Sequence, residues 1–318
     1  MAAHGHGAAG LGAARVSTTA LGGLLYRRPG LNLFLLLLPP LLWFGTVYLG
    51  SLLALLLQSF YAIDEFTATI VRTPTLATYA QLFSHPANLD IVQRTLFMAI
   101  AVTIACAIIA WPIAYYMARH ARGRTKALFY VAVMLPMWTS YLVKVYAWRL
   151  ILAKQGIVFW VCEHLGLSGA LDTLLAAPGV GGPSLSSSYL GMFIVFVYMW
   201  LPFMILPLAA ALERVPTSLV QAAADLGATP AQTLRQVVLP LALPGLAAGS
   251  VFTFSLTLGD YIIPNVVGAP GYFIGMMVYQ QQGMAGNIPL AAAFSVVPIV
   301  LIAIYLSLAK RAGAFDAL

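Results

Sequence analysis

Asp260 is the one acidic residue inside an apolar stretch long enough to cross a bilayer; it follows Gly259, precedes Tyr261 and lies one turn before Pro264. A carboxylate at bilayer depth is costly unless something pairs it, so its presence asks for a partner. Two readings fit. In one, the Gly/Pro punctuation breaks the helix, freed carbonyls line a cavity, and the carboxylate with nearby rings offers a polyammonium solute one charge pair plus cation–π faces. In the other, Asp260 caps the broken helix or pairs with a neighbouring cation. Tyr261, Trp138 and Tyr141 are the candidate aromatic walls of such a path, against ordinary span packing for any one of them. Lys144 and Arg149, among Tyr146 and Trp148, read as cations snorkelling from the outer end of a span; on a cation path they would repel the solute.

Other chemistry is excluded by residue type. A P-loop needs Gly-Lys-Ser/Thr, so that backbone amides and the ammonium hold phosphates. The lysines at 126, 144, 154 and 310 are followed by Ala, Val, Gln and Arg. There is no G-x-S-x-G elbow, no H-E-x-x-H and no intramembrane carboxylate pair, which leaves a membrane hydrolase little to work with. His4 and His6 sit in a Gly/Ala-rich tail and read as incidental. Cys106 falls in a span and Cys162 in a loop beyond the next one, so no disulfide is expected, nor any zinc, haem or iron–sulfur arrangement. No cofactor is expected in this chain.

A second constellation is polar and lies between two apolar stretches: Gln221-Ala222-Ala223-Ala224-Asp225-Leu226-Gly227, then nine residues, then Val237-Val238-Leu239-Pro240. Pro216 at a first-turn position and Ser218 with Gln221 at capping-box spacing predict a short helix to about Leu226. Gly227 ends it by entering the left-handed region, where a residue without Cβ is unstrained. Thr229, Pro230 and Gln232 repeat the start signal for a second helix, which Pro240 is expected to stop. The three alanines leave one face nearly bare for close approach by another protein, or for an interfacial hairpin lying on lipid.

These residues must be positioned by a membrane scaffold. Of the 318 residues, 61% are hydrophobic and 8% charged, where soluble domains carry roughly 25% charged. The mean hydropathy is +0.91. Six stretches reach the roughly 20 residues a span needs: about 31–60, 96–118, 127–152, 189–212, 241–267 and 289–309. The first is too long for a signal peptide and reads as a retained anchor. Residues 1–25 read as a disordered cytoplasmic tail, and 26–318 as one membrane domain. Outside the spans, 154–188 is expected to hold an amphipathic helix near 157–165 and a mobile Gly/Ser/Pro stretch at 178–188.

Charge orients the spans. Arg15, Arg27, Arg28, Arg119, Arg122, Arg124, Lys126, Arg214, Arg235, Lys310 and Arg311 fall on one side; Arg72, Arg94 and Lys154 share the other with Asp64, Glu65, Asp90, Glu163 and Asp172. The positive-inside rule puts both termini and the 213–240 loop in the cytoplasm. The pI near 9.5 then reflects topology and requires no nucleic acid.

The loop resembles the cytoplasmic coupling loop of ABC importer permeases, whose pattern is Glu-Ala-Ala, three residues, Gly, nine residues, Ile-x-Leu-Pro, with Gln221 here for the Glu and Val237 for the Ile. The run from Leu135-Pro-Met-Trp-Thr-Ser-Tyr to Gly156, the run Trp200-Leu-Pro-Phe-Met-Ile-Leu-Pro207 through Leu212-Glu-Arg-Val, and Gly259-Asp-Tyr-Ile-Ile-Pro264 through Gln281 resemble PotB-type permeases of spermidine/putrescine importers. The resemblance covers most of the chain after about residue 90. It implies an all-α protein of six transmembrane helices with the type I ABC importer fold, working in the bacterial inner membrane by alternating access. It also implies ATPase contact through Gln221, Ala222, Ala223, Asp225, Gly227, Leu239 and Pro240. The implied partners are a PotC-type permease, two PotA-type ATPases holding ATP and Mg, and an external PotD-type binding protein, with membrane lipid around them. Gln221 removes a charge from the ATPase contact. Other solutes (iron, thiamine, a sulfate-like anion) fit the same architecture; an ion-coupled secondary transporter, which shows inverted repeats and several buried carboxylates, fits less well.

With Cys106 and Cys162 replaced, Ser168→Cys and Ser186→Cys should react with an impermeant thiol reagent applied to intact cells, and Thr125→Cys should not. Labelling of Thr125→Cys alone inverts the topology.

Overall fold

The computed structural model describes residues 29–64, 67, 69–269 and 271–311. The tail expected at 1–25, with His4, His6 and Arg15, lies outside the described residues, as do Arg27, Arg28 and Glu65. The chain divides into two compact units, 1–57 and 58–318.

The first unit carries α1 (Pro29–Trp43), a wide π turn (Phe44–Leu49) and the start of α2 (Gly50–Gln58). Gly50 donates to the carbonyl of Gly45, five residues back. This widening follows Pro39 and Pro40, which remove two amide donors from the helix.

The second unit begins with a hairpin that periodicity does not reveal: β1 (Ala62–Ile63) pairs antiparallel with β2 (Ile70–Val71), Ala62 facing Val71 and Ile63 facing Ile70. Then come α3 (Ala77–Ser84) and α4 (Pro86–Arg119), started by Pro86 in its first turn. At ~1.5 Å per residue α4 is about 50 Å long, enough to emerge from the bilayer core. The bent pair α5 (Gly123–Trp138) and α6 (Tyr141–Ile151) follows, then α7 (Ile157–His164) and α8 (Ser168–Ala176). The chain continues through α9 (Tyr189–Arg214), α10 (Thr217–Asp225), α11 (Pro230–Thr233), a π turn (Leu234–Val238) and α12 (Leu239–Gly259). It closes with α13 (Ile262–Val266), α14 (Ile274–Gly283) and α15 (Ile288–Arg311). Among the described residues, five helices are long and apolar enough to cross a membrane, or six if the bent pair is one span.

The core forms around α9. Met192, Val195, Phe196, Met199, Trp200, Met204, Leu208 and Leu212 are buried along it at the three-to-four spacing of one helix face. Ser188 caps its start by accepting from the Gly191 amide at 3.0 Å. α4 presents Val102, Cys106, Ala110 and Ala114 to the same core. α12 meets α9 through Gly245 and Gly249, a G-x-x-x-G pair: a Cβ on Gly245 would lie 2.6 Å from the Pro207 carbonyl oxygen, and one on Gly249 2.9 Å from Met204 Cα. In lipid, association rests on such close van der Waals contact, because burying apolar surface gains little there.

Four expectations are corrected. The span expected at 127–152 is two helices bent by 94°. The span expected at 241–267 belongs to a helix that runs from Pro230 to Gly259 and ends before Asp260. Pro240 therefore does not stop the second loop helix; the π turn before it opens the backbone where the proline ring would otherwise strike the carbonyl one turn back. The stretch expected to be mobile at 178–188 is tied down instead: Gly182 N–H donates to Leu175 O at 3.1 Å, Ser186 N–H to Leu152 O at 3.0 Å, and Gly268 N–H to Ser186 O at 3.1 Å. Its glycines serve close approach; a Cβ on Gly181 would sit 1.7 Å from the Leu175 carbonyl oxygen. The 157–165 helix is present as α7, while α8 was not expected. Cys106 and Cys162 are both free.

Gly245→Val should cost about 1–3 kcal/mol through overpacking against Pro207 and Ala211, lowering the melting midpoint in detergent by several degrees. Gly283→Ala, whose Cβ would meet nothing within 4 Å, should leave the midpoint unchanged.

Candidate functional site

The polar segment after α9 folds as a helix, a sharp turn and a second helix. α10 carries Gln221, Ala222, Ala223 and Asp225, and its C-terminal turn closes through Gly227 N–H to Ala224 O at 2.9 Å and Ala228 N–H to Ala223 O at 3.0 Å. Gly227 has φ +82°, the left-handed conformation expected of it. The second start is a complete capping box: Gln232 N–H donates to Thr229 Oγ1 at 3.3 Å, and Thr229 N–H to Gln232 Oε1 at 2.8 Å.

The first start differs from expectation. Pro216, extended at ψ +133°, is itself the N-cap, and no side chain caps the helix. Helical geometry begins at Thr217, so Ser218 is already inside the first turn, where its hydroxyl cannot serve as the cap. Gln221 is exposed and closes no box. Leu226, at the turn of this helix–turn–helix protrusion, is 89% exposed, and Leu219 on α10 is 45% exposed. Leu239 and Pro240 lie in the continuous helix behind it rather than on the protrusion.

The second place of interest is where two membrane helices break. Between α5 and α6, Thr139 (ψ +145°) and Ser140 (ψ +132°) are extended. The exposed C-terminal end of α5 is met by Lys144, whose Nζ donates to the Pro136 carbonyl at 2.7 Å. The ammonium expected to snorkel outward therefore turns back onto the break. Between α12 and α13, Asp260 is extended at ψ +131°. Its Oδ1 accepts from the amides of Ile262 (2.7 Å) and Ile263 (3.2 Å), so that from the position before the Tyr261 N-cap it satisfies the first two amides of α13. Its Oδ2 accepts a hydrogen bond from the Tyr141 hydroxyl.

The two breaks are thus joined. Asp260 and Tyr141, drawn from sequence as members of one path, meet across more than a hundred residues of chain. Tyr141 also stacks on Trp200, ring centroids 6.1 Å apart, and Trp200 Nε1 is buried with no acceptor among the described residues. Trp200 was missed because a tryptophan inside an apolar span reads as packing. Tyr261 points elsewhere and stacks on Tyr279, centroids 5.0 Å apart. These two rings edge a cavity of about 350 Å³ lined also by Gly259, Gly275, Gln282 and Ser295. A Cβ on Gly275 would lie 2.6 Å from the Asp260 carbonyl oxygen, so α14 packs directly on the break. Trp138 ends α5 at 72% exposed, with no ring contact among the described residues. Among those residues no group of His, Cys, Asp and Glu could hold a metal ion.

A family model described as the binding-protein-dependent transport system inner membrane component matches residues 110–312. The chain is 64% identical over 296 residues to the inner membrane ABC transporter permease protein YdcU of Escherichia coli K12, covering 93% of this chain and 94% of YdcU. It is 31% identical over 241 residues to the spermidine/putrescine transport system permease protein PotB of Haemophilus influenzae, covering 75% and 79%. A chain of a bacterial alginate ABC transporter, solved with its alginate pentasaccharide-bound periplasmic protein, superposes with a TM-score of 0.70 at 15% identity over 92% of this chain and 96% of that one. A chain of the MetNI methionine ABC transporter in an inward-facing conformation gives 0.50 at 21% identity over 72% and 95%. The two structures speak to the fold alone: the type I ABC importer transmembrane domain. With a family match over most of its length, the chain belongs to the inner-membrane permease components of binding-protein-dependent transport systems and is a permease subunit of an ABC importer.

Proposed function

We propose that this permease passes polyamines, with the 213–240 segment as the cytoplasmic coupling loop. In this reading α10, its bare alanine face and the exposed Leu226 dock into a groove on a partner ATPase, which holds ATP and Mg. A second permease of the PotC type completes the pore, a PotD-type protein delivers the solute from outside, and both termini are cytoplasmic. ATP-driven closure of the ATPases moves the loops as rigid bodies and exposes the path alternately to the two sides.

The observation that carries the cationic solute is the Asp260 carboxylate, held at the junction of two broken spans beside Tyr141 and Trp200. An ammonium group displacing the Tyr141 hydroxyl from Oδ2 would gain a charge-assisted hydrogen bond and lie near aromatic faces. The PotB relatives support the same solute class. One observation favours another solute in the same architecture: Asp260 already accepts from two amides and one hydroxyl, as a purely structural cap would. The two readings separate experimentally. Asp260→Asn keeps an oxygen for the Ile262 and Ile263 amides but loses the charge. On the polyamine reading it should lower spermidine uptake tenfold or more at normal membrane abundance, while Asp260→Ala should also lower abundance. Near-normal uptake by Asp260→Asn removes the charge from the mechanism.

For the coupling loop, a Cβ on Gly227 would meet nothing within 4 Å, so Gly227→Val acts through backbone strain alone, about 1–2 kcal/mol. It should reduce the ATPase recovered with the permease and lower transport, with insertion intact. Unchanged transport contradicts the assignment of this turn.

A further inference from the structure

Glu213, the penultimate residue of α9 and three residues before the Pro216 cap of α10, reaches sideways to α5. Its Oε1 lies 2.8 Å from Lys126 Nζ and accepts from the Tyr130 hydroxyl at 2.8 Å. Lys126 and Tyr130 are one helical turn apart on α5, so both face the same carboxylate. No residue of α5 is buried, in contrast with the heavily buried α9. Among the described residues, the α5 side chains that bond another membrane helix, Lys126 and Tyr130, both end on Glu213, while at the other end of α5 the Pro136 carbonyl accepts from Lys144 of α6.

The far end of α5 is the break. From Lys126 to Trp138 is twelve residues of helix, about 18 Å at the α-helical rise, and Thr139, Ser140 and Tyr141 follow directly. α5, which packs on the core only through the partly buried Phe129, Tyr130 and Val133, is gripped at its base beside the root of the 213–240 segment, and the break at its tip leads to the Tyr141 that bonds Asp260. The ion-paired side chains of Lys126 and Glu213 are each about a third exposed, at 37% and 32%. Pairs in that setting add little to stability. Tyr130, by sharing the same oxygen, fixes the direction of the carboxylate as well as its charge.

We propose that Lys126, Tyr130 and Glu213 form a positioning clamp that makes α5 move with the root of the coupling loop, so that nucleotide-driven movement there is delivered to the break at Thr139–Tyr141. The inference rests on the coupling-loop reading above. It assigns transmission to three side chains outside the Gln221–Gly227 turn, and it predicts that coupling is lost while the docking surface remains complete.

The test uses the permease assembled with its ATPase in lipid nanodiscs, free of Cys106 and Cys162, with Thr139→Cys as reporter. The rate of labelling by a maleimide is measured without nucleotide and with ATP plus vanadate. With the clamp intact, trapping should change the rate at least threefold. Glu213→Gln and Lys126→Met should each reduce the change below 1.5-fold, and Tyr130→Phe should give an intermediate value. The exchanged pair Lys126→Glu with Glu213→Lys should restore it in part. The amount of ATPase recovered and the melting midpoint of Lys126→Met should match the parent; a fall in either traces the lost response to assembly or folding and overturns the clamp. A full response in Glu213→Gln overturns the clamp. No response in the parent overturns the lever itself. Failure of the coupling-loop reading shows separately, as Gly227→Val retaining its full complement of ATPase and its full response.

Discussion

Every main-chain N–H and C=O within the bilayer needs a partner from the protein itself, and this demand decides where the helices of this permease can break. Two breaks lie at the ends of α5 and α12, and each is repaired by a charged side chain. Lys144 covers the Pro136 carbonyl, and Asp260 takes the Ile262 and Ile263 amides. Each repair introduces a charge where hydrocarbon would reject it, and the Tyr141 hydroxyl links the acidic repair to the helix pair that holds the basic one. Irregular backbone, opposite charges and aromatic faces are therefore gathered in one place by a single physical requirement. Such an arrangement is tolerated at membrane depth where protein surrounds it or a cavity is lined by it.

The remainder of the second unit supplies stiffness around that junction. α9 is buried over most of its length, and the Gly245/Gly249 contact holds α12 against it with backbone nearly touching backbone. A pair packed this closely moves as a body, because interior packing is bistable rather than continuously deformable. α5 is the opposite case: it has no fully buried residue, packs on the core only through the partly buried Phe129, Tyr130 and Val133, and is tied at its base by polar contacts. In the proposed cycle the loop root, α9 and α12 form the rigid element, and α5 with its bend is the element that changes position.

The sequence made several of these features legible, and for identifiable reasons. Gly227 in the left-handed region and the Thr229–Gln232 capping box follow from local stereochemistry, which a few residues suffice to determine. Apolar length located the spans, and the residues named around the break included both ends of the Tyr141–Asp260 contact. What local reasoning could not supply was tertiary. Ser218 has capping-box spacing, yet Pro216 takes the cap position and the helix starts two residues too early for it. Pro240 is a helix breaker by rule, but a π turn absorbs it. The Gly-rich stretch at 178–188 has the composition of a flexible loop, whereas Gly181 and Gly182 serve close backbone contact with Leu175 and Ser187, and Ser186 bonds the backbone of Leu152 and Gly268. Trp200 and Glu213 carry no motif; only the folded chain brings Trp200 to Tyr141 and Glu213 to Lys126 and Tyr130.

The proposed function is import of a cationic solute through an ATP-driven cycle. Its most direct measurement is the hydrolysis rate of the importer, reconstituted in liposomes with its ATPase and second permease, on addition of the external binding protein loaded with a defined solute. Binding protein loaded with spermidine or putrescine should stimulate hydrolysis several-fold over the empty protein, with uptake of the labelled polyamine. Stimulation by an anion-loaded binding protein, with none from either polyamine, would contradict the account.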